Sequence, residues 1–334
     1  MTTETSGCLG IIVNPFSGRD VRRVAARAST SDHHEKQQQV TRLVLGAFSQ
    51  GVERIYLARE PFRINEKAVE NLPERDKVEI LQFPLTHRAE DTRTMARLMW
   101  EAGCRVFIVL GGDGTSRIVA GTCPDAIILP LSTGTNNVFP YRIEATVAGM
   151  AAGLVAAGRV SADHCLRCKR VHVQQGDIAD IALIDAVMLH DDFIGSLMPF
   201  DADKLGKIVL TRAEPASIGI SPIGGFMVPT GHHDDRGVVA ECGPDADNWI
   251  NVPLSPGLHA DVGIHAVQPL ALGEPVTFEG PGILAFDGDR TLKLQAGETA
   301  TATVLRDGPF IIEAERVMAV AAEAQLFDKP YKSS

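Results

Sequence analysis

The stretch that most constrains this chain is residues 105–117, Arg-Val-Phe-Ile-Val-Leu-Gly-Gly-Asp-Gly-Thr-Ser-Arg. Residues 106–110 are apolar without interruption and run into Gly111-Gly112-Asp113-Gly114. A short β-branched run with no polar alternation predicts a strand buried on both faces of a parallel sheet. Thr115 and Ser116 are good N-cap residues and predict a short helix that stops near Gly121. The glycines leave no side chain between the backbone and a ligand, and they permit positive φ angles. Strand, glycine turn and helix N-terminus together make a place for a phosphate. Asp113 would repel that phosphate unless it handles a metal ion or a proton, so the pattern points to phosphate chemistry rather than phosphate holding alone. The bland alternative is a tight turn with Asp113 at the helix entry. The spacing matches neither G-x-x-x-x-G-K-[ST] nor G-x-G-x-x-G.

The surroundings of this stretch alternate between strand and helix. Residues 8–13 predict a strand, broken by Asn14-Pro15-Phe16-Ser17-Gly18. That break offers hydroxyl, amide and backbone donors at the carboxyl edge of the sheet, where open α/β sheets bind ligands. Residues 19–28 can form a short basic helix. Asp32-His33-His34-Glu35 resembles a capping box, and Val40, Leu43, Val44 and Ala47 mark one face of the helix behind it. The two histidines read as exposed first-turn residues. Strands follow at 54–58 and 78–83, with helices at 66–72 and 95–102. A further buried strand, 126–131, ends in Ser132-Thr133-Gly134-Thr135-Asn136-Asn137, whose carboxamides can bind ribose hydroxyls or the edges of a base. Residues 145–157 predict a buried helix in which Gly149 and Gly153 permit close packing. Residues 1–160 therefore read as a doubly wound α/β domain.

Beyond Gly158 the texture changes to short apolar runs between turn signals, as far as residue 312. Residues 161–330 predict a β-rich, sandwich-like domain, with 314–327 a helix returning to the first domain and 329–334 a loose tail. Two loops there carry chemistry. Residues 220–225 form a turn-rich hairpin that could present Ser221 to a ligand. Asp287-Gly288-Asp289 is a hairpin turn signal whose acidic pair could face a cleft. Cys165 and Cys168 have metal-ligand spacing but no second pair, which favours two strand residues. His232-His233-Asp234-Asp235 reads as a solvated loop rather than a metal cluster. At 334 residues the chain is too long for one core. Its 5% aromatic content and net charge of −10 exclude a stacking platform for nucleic acid and a basic membrane-binding face. With no transmembrane-length apolar run and no signal segment, a cytoplasmic protein is expected.

With these pieces placed, the sequence resembles the superfamily of NAD kinases and diacylglycerol/sphingosine-type lipid kinases, and within it an ATP-NAD kinase-like group associated with acetoin catabolism. The match rests on residues 14–18, 111–115, 133–137 and 287–288, in that order along the chain. The resemblance implies an α/β domain and a β domain with the active site in the cleft between them. It implies that Gly111, Gly112, Gly114 and Thr115 cradle the donor phosphates of ATP, with Asn14, Ser17, Gly18 and residues Thr133, Gly134, Thr135, Asn136 and Asn137 lining the same site. Asp113 would act as base toward an acceptor hydroxyl or as a partner of Mg²⁺, with Asp287 across the cleft from it and Ser221, Asp287 and Asp289 on the acceptor side. The expected activity is transfer of phosphate from ATP to a hydroxyl of a small molecule, NAD being the leading acceptor. A lipid kinase and a catalytically inactive nucleotide-binding regulator are the alternatives. The resemblance also allows a homo-oligomer.

Overall fold

The structure is a computed structural model that describes residues 7–17, 32–133, 137–196 and 200–328. Gly18, Gly134, Thr135 and Asn136, the basic stretch 19–28 and the tail 329–334 lie outside the described residues.

The first half is built on strands β1 (Cys8–Val13), β2 (Arg54–Ala58), β3 (Val78–Leu81), β4 (Val106–Gly111) and β5 (Ile127–Ser132). They pair in parallel in the order β3-β2-β1-β4-β5. β1 and β4 are buried along their whole length, as unalternated apolar runs in a two-sided sheet must be. One face is covered by α1 (His33–Phe48), α2 (Ile64–Val69) and α5 (Ala145–Ala156). The other is covered by α3 (Ala89–Glu101) and α4 (Asp113–Thr122). The Asp32 carboxylate caps α1 by accepting from Glu35 N at 2.7 Å, as its sequence pattern predicts. α1 and α5 cross almost backbone to backbone: a Cβ added at Gly149 would lie 2.3 Å from Leu43 O, and one at Gly46 2.3 Å from Thr146 O.

Beyond α5 come the short β6 (Leu166–Arg167) and two antiparallel sheets. The larger contains β9 (Asp185–Leu189), β10 (Leu205–Leu210), β11 (Arg236–Cys242), β12 (Asn248–Ser255), β13 (Leu258–Ala271), β15 (Gly282–Phe286) and β16 (Asp289–Leu294). The smaller contains β7 (Arg170–Gln175), β8 (Ile178–Ala182), β14 (Pro275–Glu279) and β17 (Thr299–Leu305). Val173, Val209, Val239, Phe278, Phe286 and Val304 from both sheets share one apolar cluster, which makes this half a sandwich. The predicted Asp-Gly turn is present: Asp287 (φ 48°) and Gly288 (φ 88°) join β15 to β16.

Two strands depart from the expected partition. Residues 310–312 read from sequence as part of the β domain, but β18 (Phe310–Ile311) pairs in parallel with β5 of the first sheet, and β6 pairs with β18. A dipeptide strand has too little pattern to announce its sheet. α7 (Ala314–Glu323) then packs Val317 and Ala321 into the core that also holds α1 and α5, as predicted for a returning helix. Among the described residues no helix is long and apolar enough to cross a membrane.

Candidate active site

The Gly-Gly-Asp-Gly turn lies between β4 and α4. The helix begins earlier than the sequence suggests: Gly112 is the N-cap, Asp113 the first helical residue, and Thr115 and Ser116 lie inside the first turn. Gly112 has φ −107°, and none of Gly111, Gly112 and Gly114 is among the positive-φ glycines. Their smallness serves space instead. A Cβ would meet Thr115 Cβ at 2.6 Å from Gly111, Asn137 Oδ1 at 2.9 Å from Gly112, and Asp289 Oδ2 at 3.3 Å from Gly114. The turn is therefore pressed against three of the side chains that the sequence had marked as site residues.

A second loop is stitched to it. Asn14 Nδ2 donates to Thr115 Oγ1 at 2.8 Å, and Asn14 Oδ1 accepts from Phe16 N and Ser17 N. Thr133 Oγ1 donates to Ser17 Oγ at 2.9 Å, which ties in the loop after β5. Asn137 Nδ2 donates to Ser132 Oγ at 2.9 Å. Beneath the loop of residues 14–17 lies Lys36, fully buried, whose Nζ donates to Asn14 O, Pro15 O and Ser17 O at 3.0, 2.9 and 2.6 Å. Burying an ammonium costs several kcal/mol, and charge-assisted bonds to carbonyls offset it. Sequence reasoning missed Lys36, although it falls on the apolar stripe of α1, four residues before Val40. A lysine on a buried face is a signal in itself.

The third component is acidic. Asp113, half-buried, accepts from Phe139 N at 2.9 Å and more weakly from Val138 N. Burial, followed by the charge of Asp287, raises its carboxyl to about 7, against the pull of the two amides and of Arg212. Asp287 comes from the β15–β16 turn of the other half, so the two carboxyls expected to face each other are electrostatically coupled. Its oxygens accept from Leu183 N at 2.8 Å, Ile184 N at 2.7 Å and Asp185 N at 3.2 Å. Asp185, which the sequence reading passed over inside an apolar strand, is 7% exposed. Its Oδ1 has no hydrogen-bond partner among the described residues. Burial and the charges of Asp287 and Asp113 push its carboxyl well above the usual range.

Cations frame these acids. Arg117, quoted in the opening motif but given no role there, pairs with Asp289 at 3.2 Å and Asp180 at 3.6 Å. Arg212, 3% exposed, lies over the Phe139 ring and bonds His232 Nδ1 at 3.1 Å.

Several expectations need correction. Ser221 does not face a ligand: it opens a short helix, α6 (Ser221–Gly225), and is fully buried. Its hydroxyl donates to Arg212 O and accepts from Glu214 N. The apolar Pro-Ile-Gly-Gly sequence packs inward rather than forming a hairpin. Asp289 is paired with Arg117 beside the glycine turn. His232 is no solvated residue, being 7% exposed between Arg212 and Glu313, and burial beside that guanidinium depresses its imidazole to about 2. Cys165 and Cys168 flank β6 and belong to cores on opposite faces of the first sheet, so they cannot share a metal. Among the described residues no three His, Cys, Asp or Glu side chains come together as a metal cage.

Comparison with known proteins agrees with this two-part construction. Residues 9–159 match the ATP-NAD kinase N-terminal domain, and residues 167–307 match the acetoin catabolism protein X C-terminal domain. The yeast NADH kinase, solved in complex with NADH, superposes with a TM-score of 0.55 at 12% identity, covering 98% of this chain and 89% of that one. At that identity the likeness shows the fold alone. Acetoin catabolism protein X of Cupriavidus necator is 35% identical over 319 residues, 91% of this chain and 89% of the relative. The chain belongs to the acetoin catabolism protein X family, within the NAD kinase-like superfamily.

Proposed function

We propose that this protein is an ATP-dependent phosphotransferase that moves a phosphoryl group to a hydroxyl of a small molecule, with NAD the first acceptor to test and NADP its product. The observation that carries the reading is Asp113, a carboxyl raised to about 7 at the N-terminus of α4, coupled to Asp287 from the opposite half. A base of that strength is matched to an acceptor hydroxyl at neutral pH. In the proposed step Asp113 takes the hydroxyl proton as the acceptor oxygen bonds to the terminal phosphorus, and the bond to the leaving ADP breaks. Phosphoryl transfer otherwise asks for positioning and charge neutralisation. Lys36, Arg117 and Arg212 surround the site with positive charge, and ATP would bring Mg²⁺ on its own phosphates. The dinucleotide acceptor draws support from the ligand of the yeast structure. All six cysteines are buried thiols with no disulfide among them, which suits the cytoplasm.

A nucleotide-binding regulator without catalysis is the second reading, favoured by the amides of Val138 and Phe139 that already engage Asp113. Mass spectrometry of reactions with ATP and NAD, small diols, diacylglycerol or sphingoid bases separates the two. A phosphorylated acceptor is expected, with Asp113→Asn folding normally and losing roughly 10²–10⁴-fold in turnover. Unchanged turnover in that variant sinks the base assignment, and ATP binding without any product leaves the regulator.

A further inference from the structure

We infer that Phe16, Phe62 and His33 form a stacking subsite for the purine base of the nucleotide donor. The inference rests on the phosphotransferase reading and extends it to the flat faces of the donor's base, which polar side chains at its edges leave uncovered.

Phe16 and Phe62 are 46% and 39% exposed, yet they meet edge to face with ring centroids 5.5 Å apart. The His33 ring lies 4.0 Å from that of Phe62 with an interplanar angle of 33°. Three rings gathered at the surface, rather than packed into either core, leave apolar π-surface in water, where a planar heteroaromatic ligand gains by covering it. The backbone under each phenylalanine is fixed. Phe16 N is held at 2.9 Å by the same Asn14 side chain that bonds Thr115. Phe62 N is held at 2.7 Å by Glu60, which is 1% exposed and also accepts from Ile64 N and Asn65 N. The next residue, Arg63, has φ 58°, a left-handed conformation that costs a non-glycine side chain energy. Buried carboxylate and strained neighbour together hold one exposed ring in place.

The location suits a base. The polar loops follow β1, β4 and β5, whereas the rings follow β1 and β2, on the same carboxyl edge of the sheet. With strands about 4.8 Å apart, the ring cluster lies roughly one to two strand spacings to the side of the turn. That displacement is comparable with the separation of base and terminal phosphates within a nucleotide. Ring stacking tolerates any purine, so the subsite would give affinity for ATP and GTP alike.

The test compares ATP with inorganic tripolyphosphate, which has the phosphates and no base, by calorimetry on the full chain. Phe16→Ala and Phe62→Ala remove exposed side chains, and thermal melts verify their folding. Each variant is expected to bind ATP roughly ten-fold more weakly, in line with the loss of one stacked base, with tripolyphosphate unchanged. Phe62→Trp is expected to keep or tighten ATP binding. Equal losses for both ligands, or no loss for either, overturns the subsite while leaving the phosphotransferase reading in place. A loss for NAD alone overturns its assignment to the donor. Wild-type protein that binds neither ATP nor tripolyphosphate removes the phosphotransferase reading, and the subsite falls with it.

Discussion

Replacing Asp287 by Asn should move the acidic limb of the activity profile. In the wild type Asp113 is raised from 3.8 to about 7, first by burial and second by the charge of Asp287. That difference is about three pH units, or roughly 4 kcal/mol against the charged form. A general base must be unprotonated, so turnover should fall tenfold per pH unit below about 7 and be flat above it. Asn removes the charge but not the burial, which is the larger cause. The midpoint should therefore fall by less than half of the total, to roughly 6. At pH 6 the wild type would then run at about a tenth of its plateau rate and the variant at about half of its own. Asn also suits the positive φ at position 287. It keeps one oxygen for Ile184 N and Asp185 N, while its amide nitrogen confronts Leu183 N, at about 1–3 kcal/mol of stability. Initial rates of ADP release between pH 5 and 8, each normalised to its plateau, measure the shift. A midpoint that stays put or rises in Asp287→Asn refutes the coupling, and a flat wild-type profile refutes the role of Asp113.

Two further substitutions test the scaffold beneath the site. Lys36→Met keeps the length of the side chain but strips three carbonyls of their donor, and should cost about 2–4 kcal/mol in urea unfolding and weaken ATP binding, with Lys36→Arg not restoring the fit. Wild-type stability in Lys36→Met would show that the loop holds without it. Gly149→Ala puts a Cβ 2.3 Å from Leu43 O at the α1–α5 crossing and should destabilise by at least about 1–3 kcal/mol. No loss on thermal melting would show that those helices can part freely.

How much was legible in the sequence depended on whether a residue's role was local. β1, β4 and β5 could be read because burial on both faces leaves only apolar side chains, and the Asp32 cap and the Asp287-Gly288 turn because each is decided within four residues. The polar loops could be placed at one edge because each directly follows a strand of a parallel sheet. What stayed hidden needed distant partners. Lys36 is defined by carbonyls about twenty residues earlier, and Asp185 by a carboxylate a hundred residues later. Arg212 meets Phe139 across the two halves. Ser221 misled because a hydroxyl beside Pro and Gly looks exposed, whereas the backbone of residues 212–214 claims it. Of the two reasons given for the motif glycines, positive φ is not used, and neighbours at Thr115, Asn137 and Asp289, invisible in one dimension, demand their smallness.

The pairing of β18 with β5 has a consequence for biosynthesis. Phe310 and Ile311 supply the hydrogen-bonding neighbour of Ile127 and Ile128, and α7 adds Val317 and Ala321 to the first core. A nascent chain that has delivered only the first half to the ribosome exit thus carries an open strand edge at β5 and an unsealed apolar face. Translation of the whole intervening sandwich, at about 5–20 residues per second, must elapse before the missing strand and helix can arrive. The α/β half is therefore completed last, and the interval before its closure is when this chain is most exposed to misassociation.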